Sequence, residues 1–445
     1  MNFLHSFKFN DYHKKITLVI IAISWFVPTG IGFNFMGTPI DVTKFLTLFL
    51  IIIFFYTKTK LSLNIIDKLF ILFIFSQLIF SIFYIDFFKQ FLYLIYYIIF
   101  YYSYYFFARL LFQDSDLFDY FIITLSKIII IILPFLIVIH VFQIYDIVDA
   151  IRIAYPEDTL AYAHTYIRVM GNINLGNSFV GNFLNPNTMT QLLGMLFVFL
   201  FPYYLWKLNK KNVLLFSFTL LILVIGLLMT QSRSAVIIIL MEFVLLLVIQ
   251  YQNIYKVSII SLGIIFFIYI IDKEVLIYYF YLLIKLQTYI EQSNIVLCNN
   301  MFDETLCLNR RDRIYFYQSY FKYIFDSLVN LIFGYGAIMY KFKSNVIGIT
   351  DLAAPFYTFM RVGIISFLLY IIFYISILKK IVVIYNNPFK ECKRLAKYIS
   401  VVLLSISIVF IQGYQAILNP IYFFIIGSLV VLIDNCMRNR KVLNG

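Results

Sequence analysis

Apolar runs long enough to cross a lipid bilayer recur along almost the whole of this chain, and that recurrence dictates its fold class before any single residue is considered. A run of roughly 17 to 25 apolar residues matches the thickness of the hydrocarbon core, where a helix satisfies every backbone N–H and C=O within its own segment. Such runs lie near 16–35, 40–56, 69–85, 90–112, 119–145, 185–206, 212–230, 234–251, 254–271, 354–378, 398–415 and 418–436. The sequence therefore predicts an all-α polytopic membrane protein with about twelve transmembrane helices. Composition excludes a soluble alternative: 63% of the residues are hydrophobic and 13% charged, against about 45–50% apolar in a soluble domain.

A net charge of +13 would point to nucleic acid in a soluble protein. Here the Lys and Arg residues sit in short connections between apolar runs, which makes them a topology signal and leaves no case for nucleic-acid binding. With the N-terminus inside, twenty basic residues fall on the inner short segments, Arg109 among them, and only Lys44, Lys89 and Arg233 on the outer ones. The positive-inside rule then places both termini in the cytoplasm. No small-residue cleavage site follows Lys14 and Lys15, so the first helix is expected to be retained. The only long connections, about 146–184 and 272–353, both emerge on the outer face. Long loops are uncommon unless functional, so chemistry is expected there, on a single integral membrane domain spanning 1–445.

Within the second outer connection, 272–292 and 310–333 have the amphipathic character of helices lying in the interface plane. The latter opens with Arg310, Arg311 and Arg313, three guanidinium groups in four residues. Arginine forks match phosphate oxygens in pairs, and a helix start adds free N–H groups. Lipid headgroup anchoring is the plainer role for such a cluster, but the positive-inside rule disfavours an outer arginine cluster kept for that alone. Arg233 lies in a very short outer turn, Thr230-Gln231-Ser232-Arg233-Ser234. Arg361 sits several residues inside an apolar run and, as a buried cation, should face a cavity or a partner. Glu242 is expected to make an internal polar contact, and Lys127 to snorkel toward the cytoplasmic face.

The Gly/Asn-rich segments 171–177 and 181–188 read as turns and a helix cap, with Asn185 as N-cap and Pro186 as the first helical residue. Tyrosine runs such as Tyr101, Tyr102, Tyr104 and Tyr105 read as lipid-facing and interfacial packing. No G-x-x-x-x-G-K-[ST], H-E-x-x-H or paired C-x-x-C is present, so neither ATP hydrolysis nor a zinc site is expected and no cofactor is invoked. Cys298 and Cys307 fall together in the outer loop, where a disulfide would fix the start of the arginine cluster. Cys392 and Cys436 fall on the cytoplasmic side, where thiols stay reduced.

Three elements taken in order carry a family resemblance. They are Gly181-x-x-x-Asn185-Pro186-Asn187 opening a helix, Thr230-x-Ser232-Arg233-Ser234 between two helices, and Arg313-x-x-x-Tyr317 followed by Phe333-Gly334-Tyr335-Gly336. Together with the two outer loops, they resemble the O-antigen polymerase and O-antigen ligase family over roughly residues 165–375. The resemblance implies a metal-independent, inverting glycosyltransferase in the bacterial cytoplasmic membrane. Its partners would be undecaprenyl-diphosphate-linked oligosaccharide and membrane lipid, with room for a chain-length regulator protein. Carried over residue by residue, it implies that Arg233, Arg311 and Arg313 hold the diphosphate, while Asn187, Arg310 and Arg361 complete the expected substrate-binding set.

The ligase branch carries a His near the end of the second long loop. This chain has Asp351-Leu352-Ala353-Ala354-Pro355 there and no His from 272 to 353. The resemblance thus favours a Wzy-type repeat-unit polymerase and leaves the catalytic base open among Asp351, Asp303, Glu304 and His164. A flippase or transporter is the alternative from another class. It calls for charged residues along its helices and pseudo-symmetric halves, and the sequence offers few of the former and none of the latter.

Overall fold

The structure, a computed structural model, describes residues 11–27, 32–35, 38–56, 61–83, 87–113, 115–144, 167–170, 173–177, 186–207, 212–230, 232–249, 328–334, 354–412 and 420–444. The expectations for Asp303, Glu304, Asp351, His164, Arg310, Arg311, Arg313 and the Cys298–Cys307 bridge lie outside the described residues, as does the run 254–271.

Each of the other eleven apolar runs contains a helix. In chain order these are α1 Asp11–Ser24, α2 Val42–Tyr56, α3 Ile65–Phe80, α4 Phe87–Tyr97 continuing through a π turn at Ile98–Tyr102 into α5 Ser103–Leu111, and α6 Ser115–Val141. They are followed by α7 Pro186–Trp206, α8 Val213–Met229, α9 Arg233–Ile249, the short α10 Leu328–Phe333, α11 Ala354–Tyr385, α12 Lys390–Gln412 and α13 Pro420–Asn444. Among the described residues, six segments are long and apolar enough to cross a membrane: Ile65–Phe83, Gln90–Leu111, Asp116–Val141, Thr188–Trp206, Arg361–Tyr385 and Pro420–Arg438. Val42–Phe54, Val213–Met229 and Ala235–Leu246 are shorter apolar helices.

Two antiparallel hairpins add a β element that the helical periodicity does not signal. β1 Gly32–Phe35 pairs with β2 Thr38–Asp41, and β3 Ile167–Met170 with β4 Ile173–Asn177. The first takes the end of the run expected to be helical over 16–35, and α1 is over by Ser24, ahead of Pro28, whose ring cannot continue a helix. The second puts Gly171 and Asn172 between its strands, the residue types that hairpin turns favour.

Two helices form the innermost layer. α7 and α13 are buried around most of their circumference, with 89% and 78% of their spanning windows covered by neighbours, which suits sequences that are apolar on nearly every face. α13 lies along α5, α11 along α3 and α12, and α12 in turn against α7 and α9. Gly427 permits α13 to approach α5: a methyl there would strike the Tyr105 carbonyl oxygen and sit 3.0 Å from Ala108 Cβ.

Side-chain contacts fix which helix ends share a face. The aromatic rings of Tyr203 and Trp206, at the end of α7, lie 6.1 and 5.2 Å from that of Tyr398, near the start of α12. The turn at 386–389 joins α12 to the end of α11, so α7 and α11 both begin at the opposite face. Lys207, Lys380, Lys390, Lys393, Arg394 and Arg438 gather at the first face, here termed the basic end.

Four charges are tied together just inside the basic end. Arg109 is not a loop residue as expected: it is buried in α5 and donates from Nε and Nη2 to the Asp67 carboxylate at 2.8 and 2.7 Å. Its Nη2 also lies 2.9 Å from Asp434, which Lys380 approaches at 3.8 Å. Asp67 further accepts from the Tyr105 hydroxyl at 2.7 Å and closes a capping box with Asn64 at the start of α3. Asn64 Nδ2 completes the ring by donating to Asp434 at 2.7 Å.

The tyrosine run is corrected for the same reason. Tyr102, Tyr104 and Tyr105 are buried rather than lipid-facing, because a hydroxyl in an apolar interior needs a partner. They find Gln77, Thr47 and Asp67 respectively. The expectation of two reduced thiols at the basic end is also corrected: α12 and α13 bring Cys392 and Cys436 together as a disulfide, Cα–Cα 6.2 Å.

Candidate functional site

The face opposite the basic end holds the segments that the sequence singled out. α7 begins at Pro186, whose missing N–H is no loss at a first helical position. Asn187 follows as its second residue. One turn further on, Thr190 Oγ1 donates to Thr230 Oγ1 at 2.8 Å, in a fully buried contact. Thr230 caps α8, and its hydroxyl also lies 3.4 Å from the Ser232 backbone N–H, on the path into α9. Arg233 is the first residue of α9. The Asn-Pro-Asn helix start and the Thr-x-Ser-Arg-Ser turn, over 40 positions apart in the chain, are therefore one local structure.

A second convergence lies at the start of α11. This helix is broken at Gly363, where φ is +72° and ψ is 173°, a conformation that is essentially glycine's alone. Gly334, at φ +81°, sits directly against the break. A methyl on Gly334 would lie 2.5 Å from the Arg361 carbonyl oxygen and from Gly363 N, and one on Gly363 would strike the Ile332 carbonyl oxygen. Two backbones thus cross at contact distance, which only a pair of glycines allows. Phe333 stacks on Phe83 at 4.2 Å and 10°, with Phe80 at 4.9 Å, clamping the end of α10 over the end of α3.

Arg361 is brought inside by the same break. It is 3% exposed, and its guanidinium carbon lies 3.8 Å from the centre of the Tyr97 ring, just ahead of the π turn. A cation over an aromatic face in a water-poor site gains about 2 kcal/mol. The requirement that this intramembrane cation find a partner is met by Tyr97. Nothing in the aromatic run around Tyr97 marked that residue in advance, because a cation–π partner has no spacing rule.

The structure thus brings the helix start that carries Asn187 against the turn that precedes Arg233 through the Thr190–Thr230 contact, and Arg361 against the Phe333-Gly334 segment. Of the other residues named from the sequence, Lys127 is exposed on the flank of α6. Glu242 is fully buried in α9, and neither of its oxygens has a hydrogen-bond partner. The sequence missed how many charges are internal: Asp67, Arg109, Glu242, Arg361 and Asp434 are all buried. Comparison with protein-family models, curated proteins and solved structures finds no match for this chain.

Proposed function

We propose that this chain is a polysaccharide repeat-unit polymerase of about twelve transmembrane helices in a bacterial cytoplasmic membrane, with both termini in the cytoplasm. It transfers undecaprenyl-diphosphate-linked oligosaccharide onto an acceptor glycan at the outer face. The observation that carries this reading is the meeting of the Asn-Pro-Asn helix start with the turn bearing Arg233, through the Thr190–Thr230 contact. Two elements of the resemblance that are distant in sequence are then one structural unit. The docking of Phe333-Gly334 beside Arg361 adds a third element at the same end of the bundle.

In this reading an acceptor hydroxyl attacks the anomeric carbon from the face opposite the diphosphate, the glycosidic bond forms as the sugar–phosphate bond breaks, and the configuration inverts. The hydroxyl proton passes to a base among Asp351, Asp303, Glu304 and His164. Undecaprenyl diphosphate departs with increased negative charge, which Arg233, Arg311 and Arg313 stabilise. Preorganised guanidinium groups act more strongly on that developing charge than on the ground state. Asn187, Arg310 and Arg361 border the donor.

The transporter or flippase reading gains one specific observation. The five internal charges, Asp67, Arg109, Glu242, Arg361 and Asp434, exceed what the apolar runs alone suggested, and intramembrane charges mark ion and substrate paths. Deleting the gene separates the readings. Surface glycan reduced to single repeat units supports the polymerase; intermediates trapped facing the cytoplasm support the flippase; polymer that never reaches its final carrier supports a ligase.

A further inference from the structure

Glu242 lies nine residues into α9 from Arg233, about 14 Å along the helix axis. It is wholly removed from solvent. The polar group across the seam from it is the Ser405 hydroxyl of α12. Neither carboxyl oxygen makes a hydrogen bond, and Ser405 Oγ and Tyr398 Oη make none either. Two unsatisfied polar side chains, Glu242 and Ser405, therefore meet across one helix–helix seam, among the few such groups in the described residues.

Among the described residues, no cation reaches this seam from the helices packed around it. α9 contacts α7, α8 and α12. α7 and α8 carry no Lys, Arg or His, and the titratable groups of α7 are Tyr203 and Tyr204, at its basic end. Tyr203 donates to Asp119 of α6, itself paired with Lys207. The basic residues of α12, Lys390, Lys393, Arg394 and Lys397, all precede Tyr398. The last of them is eight residues from Ser405, about 12 Å along the axis. An ionised carboxylate here would be an uncompensated charge in an apolar medium, which costs several kcal/mol even after relaxation. A bound metal cation would need room and several more oxygen donors, and the seam is closed. A proton needs neither.

We infer that Glu242 is a proton-binding site within the membrane, carried as the neutral acid while α9 lies against α12, so that its ionisation requires that seam to open. A neutral acid needs no counter-charge in this seam, and the proton leaves to water only when α9 and α12 part. This inference does not depend on the reaction proposed above. Infrared spectroscopy of the full-length protein with isotope-labelled glutamate tests it. At about pH 8, a solvated glutamate is neutral in roughly one molecule in several thousand. The expected result at that pH is a carboxylic-acid carbonyl band that vanishes in Glu242→Gln. In Ser405→Ala, which removes the facing hydroxyl, the band should persist at a shifted frequency. A wild-type spectrum with no acid band at that pH would overturn the inference, and so would a band that neither substitution alters.

Discussion

Asp67→Asn offers the sharpest test of how the basic end is held. The substitution keeps the shape of the side chain and its place in the α3 capping box, but removes one of the two negative charges around Arg109. Leaving one partner of a buried ion pair unmatched costs about 3 to 5 kcal/mol. Here the lower end applies, about 3 kcal/mol, because Asp434 still contacts Arg109 at 2.9 Å. Arg109→Met falls at the upper end, since two carboxylates would then face each other with Lys380, at 3.8 Å from Asp434, as the remaining ion-pair partner shown.

The double variant removes one charge of each sign and leaves Asp434 with Lys380 and Asn64. It should recover at least about 2 kcal/mol relative to the sum of the single changes. Denaturant-induced unfolding of the purified protein in mixed micelles measures all four corners of this cycle. Strict additivity, or single variants within about 0.5 kcal/mol of wild type, would refute the account, because surface-like behaviour of that size belongs to solvated charges. The cluster is far from the candidate site, so surface polymer should persist in these variants under permissive conditions.

Gly363→Ala should displace α10 from α11, at a cost of about 1 to 3 kcal/mol for the backbone conformation alone, and lower both thermal stability and polymer yield. An unchanged melting profile would contradict the backbone crossing. Arg233→Ala, Arg311→Ala and Arg313→Ala should each cut polymer formation by on the order of a hundredfold while sparing insertion, with Lys rescuing only in part. Wild-type polymer in all three would remove the diphosphate assignment. A reporter after Lys210 or Lys393 should read as cytoplasmic and one near Asn300 as outer, and an Asn300 tag accessible only from the cytoplasm would reverse the orientation. Thiol labelling after denaturation without reductant should leave Cys392 and Cys436 unmodified. Labelling of both in that state would exclude their bridge.

How far the sequence reaches depends on the kind of signal each feature leaves. Span-length apolar runs announce membrane helices because the bilayer imposes a length and forbids open backbone, and the eleven runs covered by described residues do contain helices. Pro186 as a helix start and the need of Arg361 for a partner were likewise readable, since each follows from the chemistry of one residue in its medium. The β hairpin within 32–41 was not, because a short apolar stretch has no periodicity that separates strand from helix.

What only the tertiary structure decided is which distant residues meet. Arg109 reads as an ordinary topology-setting cation until α3 and α13 bring Asp67 and Asp434 to it. Tyr102, Tyr104 and Tyr105 read as interfacial until neighbouring helices supply acceptors for their hydroxyls. Gly334 and Gly363 carry no local mark of belonging together, yet their missing side chains let two backbones cross and place Arg361 over Tyr97. A bilayer selects helices one segment at a time, and so leaves its record in local sequence. The pairing of polar groups inside the bundle depends on how those helices rotate and pack against one another, and no single segment encodes that.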